Sequence, residues 1–203
     1  VLTYASITVT PDNLGELGEL SLFLRSAGVE KIGLNFLKGR PLAQLLGNES
    51  PESFYRRSSR VIIELFLDLN EPSFEYQTEK KRQAFFEGQF FPPDCTCYGN
   101  QIVVQADGQI TNCPFHRHDQ GHIRSLPADF KIAETQIVRH WQERILDLEG
   151  KDCSFRGQAL SGGGCAWSSL EQKGNCLAPD RANQIFTEEV FDELIWARYE
   201  RHA

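Results

Sequence analysis

The first forty residues alternate between strand-like stretches and one amphipathic segment. Residues 4–10 are rich in β-branched side chains and predict a strand, and residues 31–37 predict a second one. Between them, leucine and phenylalanine recur at helical spacing after Pro11, and Gly28 marks the predicted end of this helix. We therefore predict a βαβ unit in which the two strands are parallel neighbours.

Two longer helices are predicted next. Residues 50–69 open with Ser-Pro-Glu, a typical helix start, and continue with apolar side chains on one face. Residues 74–87 predict the second helix, and residues 39–50 read as a connection. The first part of the chain is therefore expected to be an α/β arrangement.

A domain boundary is predicted where regular patterning stops. Gly88 and the prolines at 92–93 interrupt both helical and strand periodicity. We therefore predict a first domain at residues 1–90 and a second at residues 91–203.

The second half opens with a predicted β-hairpin. Residues 101–105 and 109–113 have strand character, and Asp107-Gly108 between them is a strong hairpin-turn signal. A helix is predicted near residues 134–146, followed by a glycine-rich stretch. The final predicted helix spans 187–201, with Thr187 as its N-cap.

The composition of the chain disfavours nucleic-acid-binding, membrane-spanning and secreted proteins. The formal net charge of -7 disfavours nucleic-acid binding, which needs clustered Lys and Arg. No apolar run approaches the roughly 18 residues that span a bilayer, and the first residues lack the features of a signal peptide. We expect a soluble cytoplasmic protein. Because the sequence contains no methionine, we also expect it to be a fragment or to have lost its beginning.

Four of the six cysteines are candidate ligands of one metal centre. Cys95 and Cys97 have the i, i+2 spacing that puts both side chains on one face of a strand. The hairpin folds Cys113 back towards them, and Cys165 follows three glycines that allow close backbone approach. Four thiolates suit either an iron–sulfur cluster or a structural zinc ion. The alternative is that these are buried thiols without a ligand role.

Three histidines follow Cys113 and could be either zinc ligands or surface side chains. His116, His118 and His122 could be zinc ligands, but their spacing is not that of a usual zinc finger. Surface imidazoles in a polar loop are the commoner explanation, although His116 or His118 could replace a cysteine at the metal centre.

The cysteine-containing hairpin resembles a known family. The segment DCTCYGNQIVVQADGQITNC resembles the start of the SPASM domain that is appended to radical S-adenosylmethionine (SAM) enzymes, in which a glycine lies five positions before a cluster cysteine, as Gly108 lies before Cys113. The segments GHIRSL and SGGGCAW resemble two later motifs of that domain, the second with a serine in place of its first cysteine. Upstream, residues 3–37 resemble the last βαβ unit of the radical SAM partial barrel.

The resemblance implies a fold and a set of cofactor ligands. It implies an α/β fold in which C-terminal βα units of a radical SAM partial barrel precede a shortened, small α+β SPASM/twitch-like domain with a β-hairpin. One auxiliary [4Fe–4S] cluster would be held by Cys95, Cys97, Cys113 and Cys165. By the same resemblance, the end of the last barrel strand would lie near the adenine of SAM; these residues are Asn35, Phe36 and Leu37.

The sequence also departs from the family. In the family, a second auxiliary cluster has ligands at positions that are occupied here by Arg156, Ser161 and Asn183, so we expect that cluster to be lost. Cys153 and Cys176 would then have no cluster to bind. The three closely spaced cysteines of the radical SAM signature are absent. We therefore expect this chain alone to be inactive in SAM cleavage, with SAM and a second [4Fe–4S] cluster bound only in a full-length enzyme.

The implied activity is modification of a ribosomal peptide or protein substrate. Such an enzyme would cleave SAM reductively, abstract a hydrogen atom from a substrate residue and install a crosslink or a related change. Its partners would be a precursor peptide or protein and an electron donor such as flavodoxin or ferredoxin. The alternative is a non-enzymatic module that binds a peptide or partner chain and uses the four thiolates for structure.

Overall fold

The computed structural model describes two compact units. The described residues are 2–69, 73–87, 97, 99, 101–115, 121–136, 138–140, 143, 164–175, 178 and 180–200. The first unit comprises Val1–Phe91 together with Arg181–Ala203, and the second comprises Pro92–Asp180. Helices long and apolar enough to cross a membrane are absent from these described ranges.

The first unit contains the predicted βαβ arrangement. Strand β1 (Tyr4–Val9) pairs in parallel with strand β2 (Lys31–Phe36), with Tyr4 opposite Lys31 and Val9 opposite Phe36. A short 3-10 helix (Leu14–Glu16) leads into helix α1 (Leu17–Ser26), and Gly28 follows it at a φ of +87°. The parallel pairing and the stop at Gly28 are therefore confirmed.

Three helices follow β2, one more than the sequence predicted. Helix α3 (Pro51–Leu69) and helix α4 (Tyr76–Phe86) match the two predicted helices. The predicted connection instead contains helix α2 (Gly39–Leu45). That prediction was wrong because Leu42 and Leu46 lie one helical turn apart and bury their side chains in the core, while a proline is tolerated in the first helical turn.

The segment before α4 extends the sheet beside β2. The N–H of Ile32 donates to the carbonyl oxygen of Phe74 at 2.8 Å, and Ile32 forms an isolated parallel bridge with Glu75. The chain thus passes from β2 through α2 and α3 to a third parallel segment. This repeated alternation of parallel strand and helix is typical of α/β folds.

The last helix begins earlier than predicted. Helix α6 spans Arg181–Glu200, so Thr187 lies in its second turn and is not its N-cap. The Thr187 hydroxyl donates to the carbonyl oxygen of Asn183 at 2.8 Å, the bond that an interior threonine makes. The physical reason is that the buried helical stripe already starts at Ala182 and continues through Ile185.

Helix α6 packs against α3 within the first unit. Buried side chains of both helices share one hydrophobic core with the β1–β2 pair; on α6 they are Ala182, Ile185, Phe186, Val190 and Leu194. At its edge, Arg56 and Arg60 of α3 pair with Glu189 of α6. The hydrogen bond from Arg56 lowers the pKa of Glu189 below its ordinary value, and the hydrogen bond from Arg60 contributes a smaller lowering. Residues 181–203 therefore group with the first unit, and the assignment of residues 1–90 and 91–203 to two family domains stays a prediction.

The second unit is built around the predicted hairpin. Strand β3 (Val103–Val104) pairs antiparallel with strand β4 (Ile110–Thr111), and 3-10 helices occupy Ile123–Ser125 and Ile132–Glu134. Helix α5 spans Ala166–Lys173. A small core contains Ile110, Ile132 and Val138. Of the helix predicted near 134–146, residues 136, 138–140 and 143 are helical. Residue 134 instead ends the second 3-10 helix, residue 135 is not helical, and residues 137, 141–142 and 144–146 lie outside the described residues.

Gly33 in β2 is predicted to tolerate no side chain. A Cβ atom there would overlap the hydroxyl oxygen of Tyr4 and lie 2.8 Å from a ring carbon of Tyr76. We expect Gly33→Ala to lower the free energy of unfolding by about 1–3 kcal/mol. In a double-mutant cycle with Tyr4→Ala, the cost of Gly33→Ala should fall, because the nearest clashing atom is gone. Equal costs in both backgrounds would contradict this contact.

Candidate metal centre

The hairpin turn is fixed by backbone bonds and one carboxylate. Gly108 adopts a φ of +88°, and its N–H donates to the carbonyl oxygen of Gln105 at 2.9 Å. The Oδ1 atom of Asp107 accepts from the N–H of Gln109 at 3.0 Å. The chain therefore reverses over Asp107-Gly108, as predicted, and the strand after the turn leads to Cys113.

The reversal brings Cys97 next to the residue before Cys113. The side-chain Nδ2 of Asn112 donates to the carbonyl oxygen of Cys97 at 2.9 Å. The side-chain Nε2 of Gln101 donates both to the Cys97 Sγ at 3.6 Å and to the Asn112 carbonyl oxygen at 3.1 Å. Cys97 and Cys113 are each 5% exposed. Two of the four predicted ligands thus lie in one buried, hydrogen-bonded neighbourhood.

Cys165 is the N-cap of α5. Its Sγ accepts from the backbone N–H of Ser168 at 3.4 Å. Its own N–H donates to Asp180 Oδ2 at 3.4 Å, and the hydroxyl of Ser168 donates to Asp180 Oδ1 at 3.0 Å. Asp180 is fully buried, so this carboxylate holds the start of α5 and with it the backbone of Cys165.

The donor set is compatible with a metal–sulfur centre, although convergence of four thiols is not shown. Cys97, Cys113 and Cys165 are thiols, and two of these sulfur atoms already accept N–H hydrogen bonds, as thiolate ligands of clusters do. Cys95 lies outside the described residues. Within the described part of the chain, groups of three or more Cys, His, Asp or Glu side chains arranged to hold a metal ion are absent. The four-cysteine ligand set stays a prediction.

His122 makes hydrogen bonds with the hairpin turn through its imidazole ring. Its Nδ1 accepts from the N–H of Arg124 at 3.1 Å, which leaves the proton on Nε2 to donate to the carbonyl oxygen of Asp107 at 2.9 Å. The ring fills the space that a Cβ at Gly108 would occupy. Both ring nitrogens are thus engaged, which supports the structural reading of this histidine. His116 and His118 lie outside the described residues.

The predicted SAM-contacting residues lie at the carboxyl end of β2. The Nδ2 of Asn35 donates to the hydroxyl oxygen of Ser6 at 3.0 Å, and its Oδ1 accepts from Gln77 Nε2 at 3.0 Å. The N–H of Leu37 donates to the carbonyl oxygen of Val9 at 3.0 Å. Phe36 contacts the core edge-on through aromatic rings. Asn35 therefore points to the sheet face opposite the core, and the role of these residues stays a prediction.

The positions predicted for a second cluster are only partly described. Asn183 lies on α6, where its carbonyl oxygen accepts from Thr187. Cys153, Arg156, Ser161 and Cys176 lie outside the described residues. The loss of a second auxiliary cluster therefore stays a prediction.

Glu75 is a buried carboxyl group that sequence reasoning missed. It is 1% exposed and caps α4, with Oε2 accepting from the N–H of Thr78 at 2.8 Å. Its Oε1 accepts from the N–H groups of Gln77 at 3.3 Å and Leu34 at 3.4 Å. Burial raises the pKa of Glu75 above its ordinary value, against the opposing effect of these bonds. The signal in the sequence is a glutamate at the start of the helix predicted over residues 74–87.

Glu75 is expected to give the stability a recognisable pH dependence. Because its pKa is higher in the folded state, its favourable contribution is complete below the unfolded value of 4.5 and is lost as pH rises through the folded value. Glu75→Gln cannot ionise. The stability of the wild type relative to this variant should therefore fall as the pH rises above 4.5 in urea unfolding experiments. A relative stability that rises over this interval would show that the fold favours the carboxylate.

Comparison with known proteins identifies the fold by structure alone. No family model and no curated protein matches the sequence. The structure is similar to native anSMEcpe with bound AdoMet (SAM) and Cp18Cys peptide, with a TM-score of 0.65 and 17% identity over 96% of this chain and 57% of that chain. Native anSMEcpe with bound AdoMet and Kp18Cys peptide gives a TM-score of 0.64 and 16% identity, covering 96% of this chain and 57% of the other. The chain thus spans little more than half the length of these solved proteins.

Proposed function

We propose that this chain is the C-terminal portion of a radical SAM enzyme that modifies a peptide or protein. The observation that carries the proposal is the fold match over 96% of the chain to anSMEcpe in a structure that holds bound AdoMet and a peptide. The cysteine-containing hairpin supports the same conclusion independently, since its motif resembles the SPASM domain of such enzymes.

Four cysteines form the proposed auxiliary metal centre. Cys95, Cys97, Cys113 and Cys165 would hold one [4Fe–4S] cluster, and the part-buried hydrogen bonds to the sulfur atoms of Cys97 and Cys165 support two of these positions. When bound, the cluster supplies a one-electron redox centre or an anchor for the substrate. The chain's own contribution is to fix the sulfur positions and to limit access of water to the buried thiols of Cys97 and Cys113.

The first unit provides the proposed SAM-facing strand end. Asn35, Phe36 and Leu37 lie where β2 ends, and ligands of parallel α/β folds bind at the carboxyl ends of strands. The Ser6 and Gln77 hydrogen bonds orient the Asn35 amide, and packing of Phe36 into the core fixes the backbone beside it. These contacts support a rigid wall for the adenine of SAM.

The complete protein is proposed to act in the cytoplasm on a precursor peptide or protein. An electron donor such as flavodoxin or ferredoxin would supply the electron for reductive cleavage of SAM to methionine and a 5′-deoxyadenosyl radical. That radical would take a hydrogen atom from the substrate, and the auxiliary cluster would accept the electron released when the substrate radical forms a crosslink or a related product. The cluster that binds SAM would belong to the remainder of the full-length protein, because this chain lacks the three-cysteine signature.

The test is SAM cleavage by the full-length protein beside this chain alone. Each is reconstituted anaerobically and incubated with SAM and dithionite as the electron source, and 5′-deoxyadenosine is quantified by mass spectrometry. The full-length protein should produce it and the 203-residue chain should not. A full-length protein that binds iron and forms no 5′-deoxyadenosine would contradict the proposed enzyme class.

A further inference from the structure

The Cys97 sulfur has a side-chain donor that lies four residues further along the chain. Gln101 Nε2 lies 3.6 Å from the Cys97 Sγ, within the range for an N–H···S hydrogen bond. The same nitrogen lies 3.1 Å from the carbonyl oxygen of Asn112, directly before Cys113. One amide group therefore connects the segments that carry two proposed ligands.

Asn112 completes this connection from the opposite side. Its side chain is fully buried, and its Nδ2 donates to the carbonyl oxygen of Cys97 at 2.9 Å. This bond fixes the orientation of the amide, because the reversed orientation would place two oxygen atoms against each other. Gln101 and Asn112 thus form two side-chain bonds that connect the segment 97–101 with the residue directly after β4.

We propose that Gln101 is a positioning residue for Cys97 that also raises the reduction potential of the metal centre. The inference rests on the proposed auxiliary cluster and deepens it. An N–H donor directed at a ligand sulfur stabilises negative charge there, and a reduced cluster carries one more negative charge than an oxidised one. Hydrogen bonds to cluster sulfurs are among the factors that set cluster potentials.

The test compares reduction potentials of reconstituted variants of the chain. Gln101→Leu removes the donor at similar size, and Gln105→Leu is the matched control on the same hairpin, because Gln105 makes its hydrogen bond with Gln109 through its backbone. The midpoint potential is measured by anaerobic dithionite titration followed by electron paramagnetic resonance. The Gln101→Leu potential should shift to a more negative value, and the control should match the wild type. An unchanged potential in Gln101→Leu with full iron content would overturn the inference and leave the cluster proposal intact.

A second variant tests the proposal in the case that Gln101→Leu binds no iron and its potential cannot be measured. Gln101→Lys restores N–H donors at similar reach and adds positive charge, so it should retain iron and shift the potential to a more positive value. Iron binding by Gln101→Lys together with loss of iron binding by Gln101→Leu supports the positioning role. Loss of iron binding by both variants, while their circular dichroism spectra match the wild type, overturns it. A wild-type chain without iron would overturn the cluster proposal itself.

Discussion

Replacing Ile185 with alanine is expected to lower the free energy of unfolding of the first unit by about 2–5 kcal/mol. Ile185 is fully buried on α6 and belongs to the core shared with α3 and the β1–β2 pair. Truncation removes buried apolar surface and leaves a cavity between elements that are far apart in sequence. The readout is hydrogen–deuterium exchange of α3 amides, which reports on the first unit separately from the second.

The control for this prediction lies on the same helix. Glu193 is exposed on α6, so Glu193→Ala should change the free energy of unfolding by no more than about 0.5 kcal/mol. A loss of α3 protection in Ile185→Ala and not in Glu193→Ala would support the packing of α6 in the first unit. Equal protection of α3 in both variants would contradict it.

Replacing Cys113 with alanine is expected to abolish iron binding. Cys113 is 5% exposed at the end of the hairpin, and its N–H and carbonyl oxygen are both bonded to the Thr111 hydroxyl. Alanine fits this position without disturbing the backbone, so the variant should fold while one proposed thiolate is missing. Iron content after anaerobic reconstitution should fall from about four atoms per chain to a small fraction of that value.

Cys176→Ala is the matched control, since Cys176 stands outside the proposed ligand set. It should retain the iron content of the wild type. Wild-type iron content in both variants would contradict the role of Cys113. The same loss of iron in both variants would indicate that iron binds without selectivity for the proposed ligands.

Local sequence signals predicted the elements with strong periodicity. The β1–β2 pair, α1, α3 and the hairpin turn at Asp107-Gly108 follow from residue spacing, because their side-chain patterns agree with their tertiary surroundings. Helix α2 was missed because its glycine and proline suggested a connection. The start of α6 was misplaced because a threonine followed by two glutamates imitates a helix start inside a continuous helix.

The candidate site was predictable in part. Cysteine spacing around a hairpin signal is a local feature, and the structure places Cys97 beside Asn112 accordingly. The roles of Gln101, His122 and Asp180 were not predictable, because each depends on a hydrogen bond to a residue that only the folded chain brings near. Polar side chains that bond to residues distant in the sequence have no periodic signature.

The most direct test of the auxiliary metal centre is Mössbauer spectroscopy with metal counting on the wild-type chain reconstituted anaerobically with iron and sulfide. The proposed ligand set predicts the spectrum of a [4Fe–4S] cluster and about four irons per chain. Zinc bound at about one ion per chain, with no iron taken up, would contradict the cluster and would instead indicate a structural thiolate site.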